Sequence, residues 1–346
     1  MRHTGDIAGR SRDAVDSLQP GGYTIHMYST DACQLIDAPA NRALERSRRA
    51  CARDLAVVNP AVGCLGGCLF CPVRHRGRER TELHIRSNLP SLLERELHAR
   101  RRQGQLPPGV LFNTATDSFQ PVGPLLTLTH ESMRIVLEAG CDLYFITRGS
   151  VPEGFGELFE THRDKIHAQV SLFSMDANLA ELYEPSAAKP AERLDTIRRL
   201  LAWGVEVQGR IDPLVPFLTD TAGHLEDVLR HLRSTGVSRV ATSYLVLHPQ
   251  MLEQFQRALP AAQHQLIKGS FKGQSWQQVG VQQMTKLLPR RIRVQGYQRL
   301  TSIAKRQEIE VTACICTNPD LGTSCLAPAT RQTVPTRGQL ELFDIA

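Results

Sequence analysis

The sequence predicts an α/β protein built around an incomplete (β/α)6 barrel of the TIM-like type. Short apolar runs alternate with amphipathic segments, and a glycine ends several of the amphipathic segments, as Gly140, Gly204 and Gly236 do. This alternation is typical of a parallel sheet covered by helices. Six such units lie between residues 54 and 250, fewer than the eight of a complete barrel.

The predicted strands span residues 54–59, 109–114, 142–147, 166–173, 205–211 and 240–247, and one more is predicted at 308–313. The predicted helices span residues 89–102, 129–139, 154–163, 191–203 and 225–234. Around the barrel (54–250) we predict an N-terminal extension (1–53) with an Arg-rich helix, a C-terminal helical region with a cysteine group (251–330), and a flexible tail (331–346).

Composition narrows the function classes. The chain has 346 residues, 41% of them hydrophobic, and lacks both an apolar run of about 18 residues and a secretory apolar region. We therefore expect a cytoplasmic protein without a membrane span. The net charge is +6, and the arginines cluster at 46–53, 74–80, 100–102 and 290–293. They form either solvated helix faces or a surface that contacts nucleic-acid phosphates.

The first of two cysteine groups is Cys64, Cys68 and Cys71, in NPAVGCLGGCLFCPVR after the first barrel strand. Three thiolates can ligate three irons of a [4Fe-4S] cluster and leave the fourth iron open for S-adenosylmethionine (SAM). A zinc site normally has four protein ligands when it is structural. The C-x3-C-x2-C spacing therefore favours the cluster.

The second group is Cys314, Cys316 and Cys325 in TACICTNPDLGTSC. Two interpretations stay open: an auxiliary iron–sulfur cluster, or a structural zinc whose fourth ligand comes from elsewhere, for instance Cys33 or Cys51. A third interpretation is that these thiols bind no metal.

The first cysteine segment resembles the radical SAM superfamily, and more narrowly its spore photoproduct lyase-like (DNA repair photolyase-like) branch. The stretches LHIRSNLPSLLEREL (83–97), TATDSFQPV (114–122) and LYFITR (143–148) are similar to segments of that branch. The resemblance covers residues 54–250.

The resemblance implies a cofactor pocket at the carboxyl ends of the strands. It places Phe70 near the SAM adenine, Thr114, Thr116 and Asp117 at the SAM amino group, Ser171 and Ser174 at its ribose or carboxylate, and Arg210 at its carboxylate. It also implies an electron donor such as flavodoxin or ferredoxin. The hydrogen-donor cysteine and tyrosines of the lyases cannot be matched here, and we predict that Cys141 is a buried core thiol.

The segment QLELF resembles the peptide that binds the bacterial sliding clamp. Gln339 would bind at a pocket mouth while Leu342 and Phe343 fill an apolar pocket. The alternative is that this segment packs on its own barrel.

Three functions follow from these patterns. The first is a radical SAM enzyme that repairs or modifies a base in DNA. The second keeps the radical chemistry but acts on RNA, a peptide or a small molecule. The third is a non-catalytic iron–sulfur or zinc protein that binds nucleic acid.

Overall fold

The computed structural model describes residues 34–71, 82–279 and 284–326. Its strands are β1 (Gln34–Asp37), β2 (Glu45–Arg46), β3 (Ala56–Val58), β4 (Ala61–Val62), β5 (Glu82–Ile85), β6 (Gly109–Phe112), β7 (Asp142–Thr147), β8 (Ile166–Ser171), β9 (Glu206–Leu214), β10 (Arg239–Tyr244), β11 (Gln277–Gln278), β12 (Met284–Thr285) and β13 (Glu310–Ala313). Its α-helices are α1 (Leu89–Arg102), α2 (Gly123–Glu138), α3 (Gly156–Thr161), α4 (Ala177–Tyr183), α5 (Pro190–Ala202), α6 (Ala222–Ser234), α7 (Met251–Ala258), α8 (Ala261–Ser270) and α9 (Arg290–Arg306).

The main sheet has eight strands in the order β13-β10-β9-β8-β7-β6-β3-β2. Every neighbouring pair from β3 to β13 is parallel, and only β2 runs antiparallel to its neighbour. All six predicted barrel strands are present, and the further strand predicted at residues 308–313 is β13. The predicted α/β class with a parallel sheet is therefore confirmed.

The helices form where the apolar residues recur at helical spacing. In α1, Leu89, Leu92, Leu93 and Leu97 are buried on one face. Arg100–Arg102 lie in its last turn, where cations favour the helix dipole. The predicted bounds of this helix are those observed, whereas α2 begins six residues before the predicted start, at Gly123.

The two faces of the sheet are covered differently. One face packs against the helices in the main core. The other face carries a smaller buried cluster in which Val57, Leu111 and Ala241 of the sheet contact Cys51 and Leu326, from outside the strands. This second face also carries buried polar side chains, Gln169 and Arg210 among them, which hydrogen-bond to Cys325.

The opposite edges of the sheet approach each other. Six strand spacings separate β3 from β13, which would be about 30 Å in a flat sheet. Yet Sγ of Cys51, between β2 and β3, lies 3.2 Å from Sγ of Cys316, just after β13. The sheet therefore curls until its two edges are neighbours.

The extension differs from the prediction. Its strand β1 pairs in parallel with β5, and β5 pairs with β4 in a separate three-stranded sheet. The prediction of an Arg-rich helix in the extension is wrong for residues 34–53, the part that the structure describes. The only helical segment there is a three-residue 3-10 helix, Ala50–Ala52. Alternating Arg and small residues there lack the apolar face that a longer helix would bury.

Candidate metal centres

The first cysteine group lies on the loop that follows β3 and β4, at the carboxyl end of the parallel strands. Cys64, Cys68 and Cys71 are all partly buried. Gly63 and Gly67 adopt φ angles of 103° and 65°, in the region that favours glycine. A Cβ at Gly63 would lie 2.7 Å from the carbonyl oxygen of Glu82, so the tight turn into the loop requires glycine.

Polar residues at the carboxyl end of β6 support this loop. The Thr116 hydroxyl donates to the carbonyl oxygen of Gly63 at 2.6 Å, and the amide of Leu65 donates to Gln120 at 2.6 Å. Asn59 accepts from the amides of Thr114 and Ala115. Thr114 and Thr116 are therefore beside the cysteine loop, and their contact with SAM stays a prediction.

Three protein groups donate hydrogen bonds to the carboxylate of Asp117. Its carboxylate accepts from the amide of Phe119 (3.0 Å), the hydroxyl of Thr147 (2.8 Å) and the amide of Arg148 (2.7 Å). It thus ties the ends of two adjacent strands together. Its predicted role at the SAM amino group stays a prediction.

A buried network of charges lies beside the loop. Arg148 pairs with Glu184 at 2.7 Å and with Asp212 at 3.1 Å. Glu184 also pairs with Arg193 at 2.7 Å, and Asp212 with Arg210 at 2.6 Å. Sequence reasoning did not find Glu184 or Asp212, because neither belongs to a motif and Arg148, which pairs with both, is 36 and 64 positions away.

Phe70 and Ser171, both predicted to contact the cofactor, lie beside the charge network of Arg148 and Asp212. The Phe70 ring lies 5.2 Å from the guanidinium of Arg148 and 5.6 Å from the ring of Phe173. Ser171 donates to Asp212 at 3.2 Å, and the hydroxyl of Ser174 accepts from the amide of Asp176.

Arg210 faces the second cysteine group. Its guanidinium donates to Asp212, to Gln169 at 3.0 Å and to Sγ of Cys325 at 3.4 Å. The prediction that Arg210 pairs with the SAM carboxylate stays untested, but its observed partners are these three groups.

The protein environment shifts the pKa values of two thiols of the first cysteine group and of the nearby Asp212 carboxyl group. Burial, followed by the charges of Asp117 and Cys71, raises the pKa of Cys64 to about 12. Burial and the charge of Glu184 raise the pKa of Cys68, against the opposing effect of Arg148. Burial alone would raise the pKa of Asp212, but the guanidinium groups of Arg210 and Arg148 outweigh burial and lower it.

The second cysteine group contains four thiols, because Cys51 joins the predicted three. Sγ of Cys51 is 3.2 Å from that of Cys316, and Sγ of Cys325 is 3.4 Å from that of Cys314. The ligand atoms of Cys51, Cys314 and Cys316 all lie within 4.8 Å of one another. The neighbouring thiols of Cys314 and Cys51 lower the pKa of Cys316.

Several sequence predictions concern residues outside the described ranges. Cys33, the arginines at 74–80, the tail and the QLELF residues Gln339, Leu342 and Phe343 are among them. Cys141 is buried at the start of β7, as predicted for a core thiol. Arg293 is buried and paired with Asp320 at 2.8 Å, so it does not belong to an exposed basic surface.

The fold is that of solved spore photoproduct lyase structures. One, in complex with dinucleoside spore photoproduct, superposes with a TM-score of 0.64 at 14% identity, covering 87% of each chain. Another, a mutant with bound AdoMet and the same dinucleoside, has a TM-score of 0.62 at 13% identity, covering 80% of this chain and 81% of that chain.

Sequence relatives are distant. An uncharacterized protein of Acidianus two-tailed virus is 23% identical over 53% of this chain and 64% of its own length. The radical SAM Nalpha-GlyT isomerase of Pseudomonas phage M6 is 22% identical over 57% of this chain and 41% of its own. This chain thus spans less than two thirds of these relatives, and no protein-family model matches it.

The resemblance to the radical SAM superfamily is confirmed at the level of the fold. Of the helices that the structure describes, none is both long and apolar enough to span a membrane.

Proposed function

We propose that this protein is a radical SAM enzyme whose [4Fe-4S] cluster is bound by Cys64, Cys68 and Cys71. The observation that carries the proposal is the placement of three thiols, and no fourth, on one glycine-shaped loop at the carboxyl end of the parallel strands. Among the described residues, every other cysteine belongs to the second group or, like Cys141, lies elsewhere in the core. We further infer that the curled sheet is the incomplete barrel of this superfamily.

The residues present suit such a cluster. Gly66 lies between two of the thiols: a Cβ there would contact Sγ of Cys64 and Cys68 at 3.5 Å and 3.8 Å. The raised pKa of Cys64 means that the thiolate forms readily only with a cation nearby, which a cluster iron supplies. When bound and reduced, the cluster with SAM supplies one electron that cleaves the sulfonium to a 5′-deoxyadenosyl radical.

The chain's own polar residues would hold SAM around this loop. Arg148, Ser171 and Asp212 form a connected set beside Phe70. In this set Arg148 offers a planar donor for the SAM carboxylate, and Phe70 an apolar surface for the adenine. Because Glu184 and Asp212 hold Arg148 from two sides, its guanidinium is positioned before SAM arrives.

The finer proposal is that the enzyme repairs or modifies a base in DNA. It is supported by the lyase fold and by exposed arginines, such as Arg46, Arg48 and Arg53, around the second cysteine group. Its partners would be DNA, a small electron donor such as flavodoxin or ferredoxin and, through QLELF, a sliding clamp. The second candidate function is radical chemistry on RNA, a peptide or a small molecule. It is supported by the similarity to the radical SAM isomerase of Pseudomonas phage M6.

The test of the radical SAM proposal is 5′-deoxyadenosine formation. Wild type, Cys68→Ala and the control Cys141→Ala are purified anaerobically, reconstituted with iron and sulfide, and reduced with dithionite in the presence of SAM. We expect product from wild type and the control, and a loss of at least about 100-fold in Cys68→Ala, because a cubane needs all its cysteine ligands. Wild type that carries iron but makes no product, with or without DNA, would support a non-catalytic binding protein.

The test of the DNA proposal is the salt dependence of binding to a duplex oligonucleotide. Each phosphate contact steepens the fall of affinity with salt. We expect the double variant Arg48→Ala/Arg53→Ala to reduce that slope by about 2. Unchanged binding across the salt range, in wild type as in the variant, would direct attention to other substrates.

A further inference from the structure

We infer that Cys51, Cys314, Cys316 and Cys325 form a closed, tetrahedral site for a single zinc ion that fastens the two edges of the sheet together. The inference does not rest on the proposed function. It concerns the second cysteine group, which the radical chemistry at Cys64, Cys68 and Cys71 does not require.

The sulfur spacing selects one metal ion over a cluster. Four thiolates around one zinc at about 2.3 Å are about 3.8 Å apart. The pairs Cys51–Cys316 and Cys314–Cys325 are 3.2 Å and 3.4 Å apart. Each cysteine of a [4Fe-4S] cubane ligates a different iron, so its thiolates stand apart rather than in contact.

A two-iron cluster fails on a third distance. Such a cluster would accept two close pairs of thiolates, one pair on each iron, but would hold the pairs apart. Here Cys314 lies within 4.8 Å of both members of the other pair, Cys51 and Cys316. Cys325 contacts Cys314 at 3.4 Å but does not belong to this set of three. All-thiolate tetrahedral coordination of a single ion is typical of structural zinc.

The loop that carries three of the ligands is held in place by the backbone. Ile315 donates to the carbonyl oxygen of Thr323, and Thr323 donates to that of Ala313, both at 2.9 Å. A Cβ at Gly322 would lie 2.6 Å from the nitrogen of Ile315, so this return of the chain requires glycine. Asn318 donates to the carbonyl oxygen of Cys314 at 3.0 Å. The ligands are therefore oriented by contacts that do not involve the metal.

The surroundings compensate the charge of the site. One Zn²⁺ ion held by four thiolates has a net charge of −2, and any thiol still protonated loses its proton to solvent when the ion binds. Arg210 donates to Sγ of Cys325 at 3.4 Å, and the amide of Cys51 donates to Sγ of Cys316 at 3.5 Å. Such hydrogen bonds to ligand sulfurs are the usual second contacts of a thiolate site. Cys316 is partly exposed while the other three are buried, which gives the ion a route of entry.

The position of the site gives it a structural role. Cys51 precedes β3 at one side of the curled sheet, and Cys314 follows β13 at the other. The amide of Cys314 continues the ladder by donating to the carbonyl oxygen of Thr242, and Ser324 donates to that of Cys51. The zinc would replace the missing strand pairing between the two edges.

The experiment is elemental analysis of the full-length protein purified anaerobically from medium containing zinc and iron. We expect about one zinc and about four irons per chain. Cys325→Ser should lose the zinc and keep the iron, whereas Cys68→Ala should lose the iron and keep the zinc. The two losses are separate, so failure of this inference and failure of the proposed function are distinguishable.

X-ray absorption at the zinc edge of the wild type gives an answer that does not depend on whether a variant folds. Four sulfur neighbours at about 2.3 Å would support the site. About eight irons without zinc, fewer than four sulfurs around the zinc, or a metal-free protein with Cys51 and Cys316 joined in a disulfide would each overturn it.

Discussion

The two cysteine groups of this protein differ in how their ligands are brought together. The first takes three thiols from eight consecutive residues, Cys64–Cys71, and leaves them partly exposed. The second takes four thiols from segments more than 260 positions apart and buries three of them. An incomplete set on a short loop leaves a coordination position for a substrate, whereas a complete set from distant segments stabilises the fold. If the two proposals hold, ligand number and sequence separation distinguish the reactive centre of this protein from its structural one.

The largest effect should come from comparing one ligand of each group. Cys314→Ser should lower the free energy of unfolding by more than about 5 kcal/mol, because structural zinc sites contribute about 10 kcal/mol or more. Cys64→Ser should change it by less than about 1 kcal/mol, because it removes a partly exposed loop thiol. Anaerobic urea unfolding measures both. Equal effects of the two substitutions would remove the distinction between the groups.

The next effect concerns the ion network that joins the two groups. Glu184→Gln should cost about 3–5 kcal/mol of stability, because it leaves Arg193, only 1% exposed, without its carboxylate. The control is Glu181→Gln on helix α4, which ends just before Glu184; the Glu181 side chain is exposed, and the cost should stay below about 0.5 kcal/mol. Denaturant unfolding of both variants is the measurement, and a similar small cost for each would contradict the buried pairing.

Asp117→Asn distinguishes support of the loop from contact with SAM. Loss of the charged acceptor for Thr147 and Arg148 should cost about 2 kcal/mol. If the carboxylate also binds the SAM amino group, the KM for SAM rises as well, beyond what Thr147→Val causes. A KM equal to that of Thr147→Val would limit Asp117 to support of the loop. The measurements are urea unfolding and steady-state 5′-deoxyadenosine formation.

The smallest effect is a dependence on pH at Asp212. Arg210 and Arg148 lower its pKa in the folded protein. The stability that it contributes is complete above the unfolded pKa of about 3.9 and is lost as pH falls through the folded value. The unfolding free energy of wild type should therefore fall more steeply below about pH 4 than that of Asp212→Asn. Proton competition at the cysteines is common to both proteins, so parallel curves would exclude this role.

Local patterns predicted much of the fold. The six barrel strands, the strand at residues 310–313 and the bounds of α1 follow from apolar periodicity, which depends on neighbouring residues alone. The first cysteine group can also be predicted from the sequence, because its three cysteines lie within eight consecutive residues. For a zinc site in the second group, the sequence offers Cys33 or Cys51 as the fourth ligand without deciding between them, because sequence spacing does not report how a sheet curls.

The charged residues were the least predictable part. The sequence predicts Arg210 beside SAM, and that prediction stays untested; its position between Asp212 and Cys325 does not follow from the sequence. Glu184 lies just past a short helix, without a neighbouring residue that marks it as a partner of Arg148. Pairings across 36 and 115 positions depend on tertiary packing.

The meeting of Cys51 with Cys316 has a consequence for synthesis of the protein. A ribosome releases Cys51 long before it makes the residues that follow β13, so strands β3 to β10 can pair in order while the chain is still growing. The face of the sheet that carries Val57, Leu111 and Ala241 stays uncovered until residues 314–326 emerge, and exposed apolar side chains favour aggregation. Translation that stalls late would therefore release an incompletely covered intermediate that is prone to aggregate.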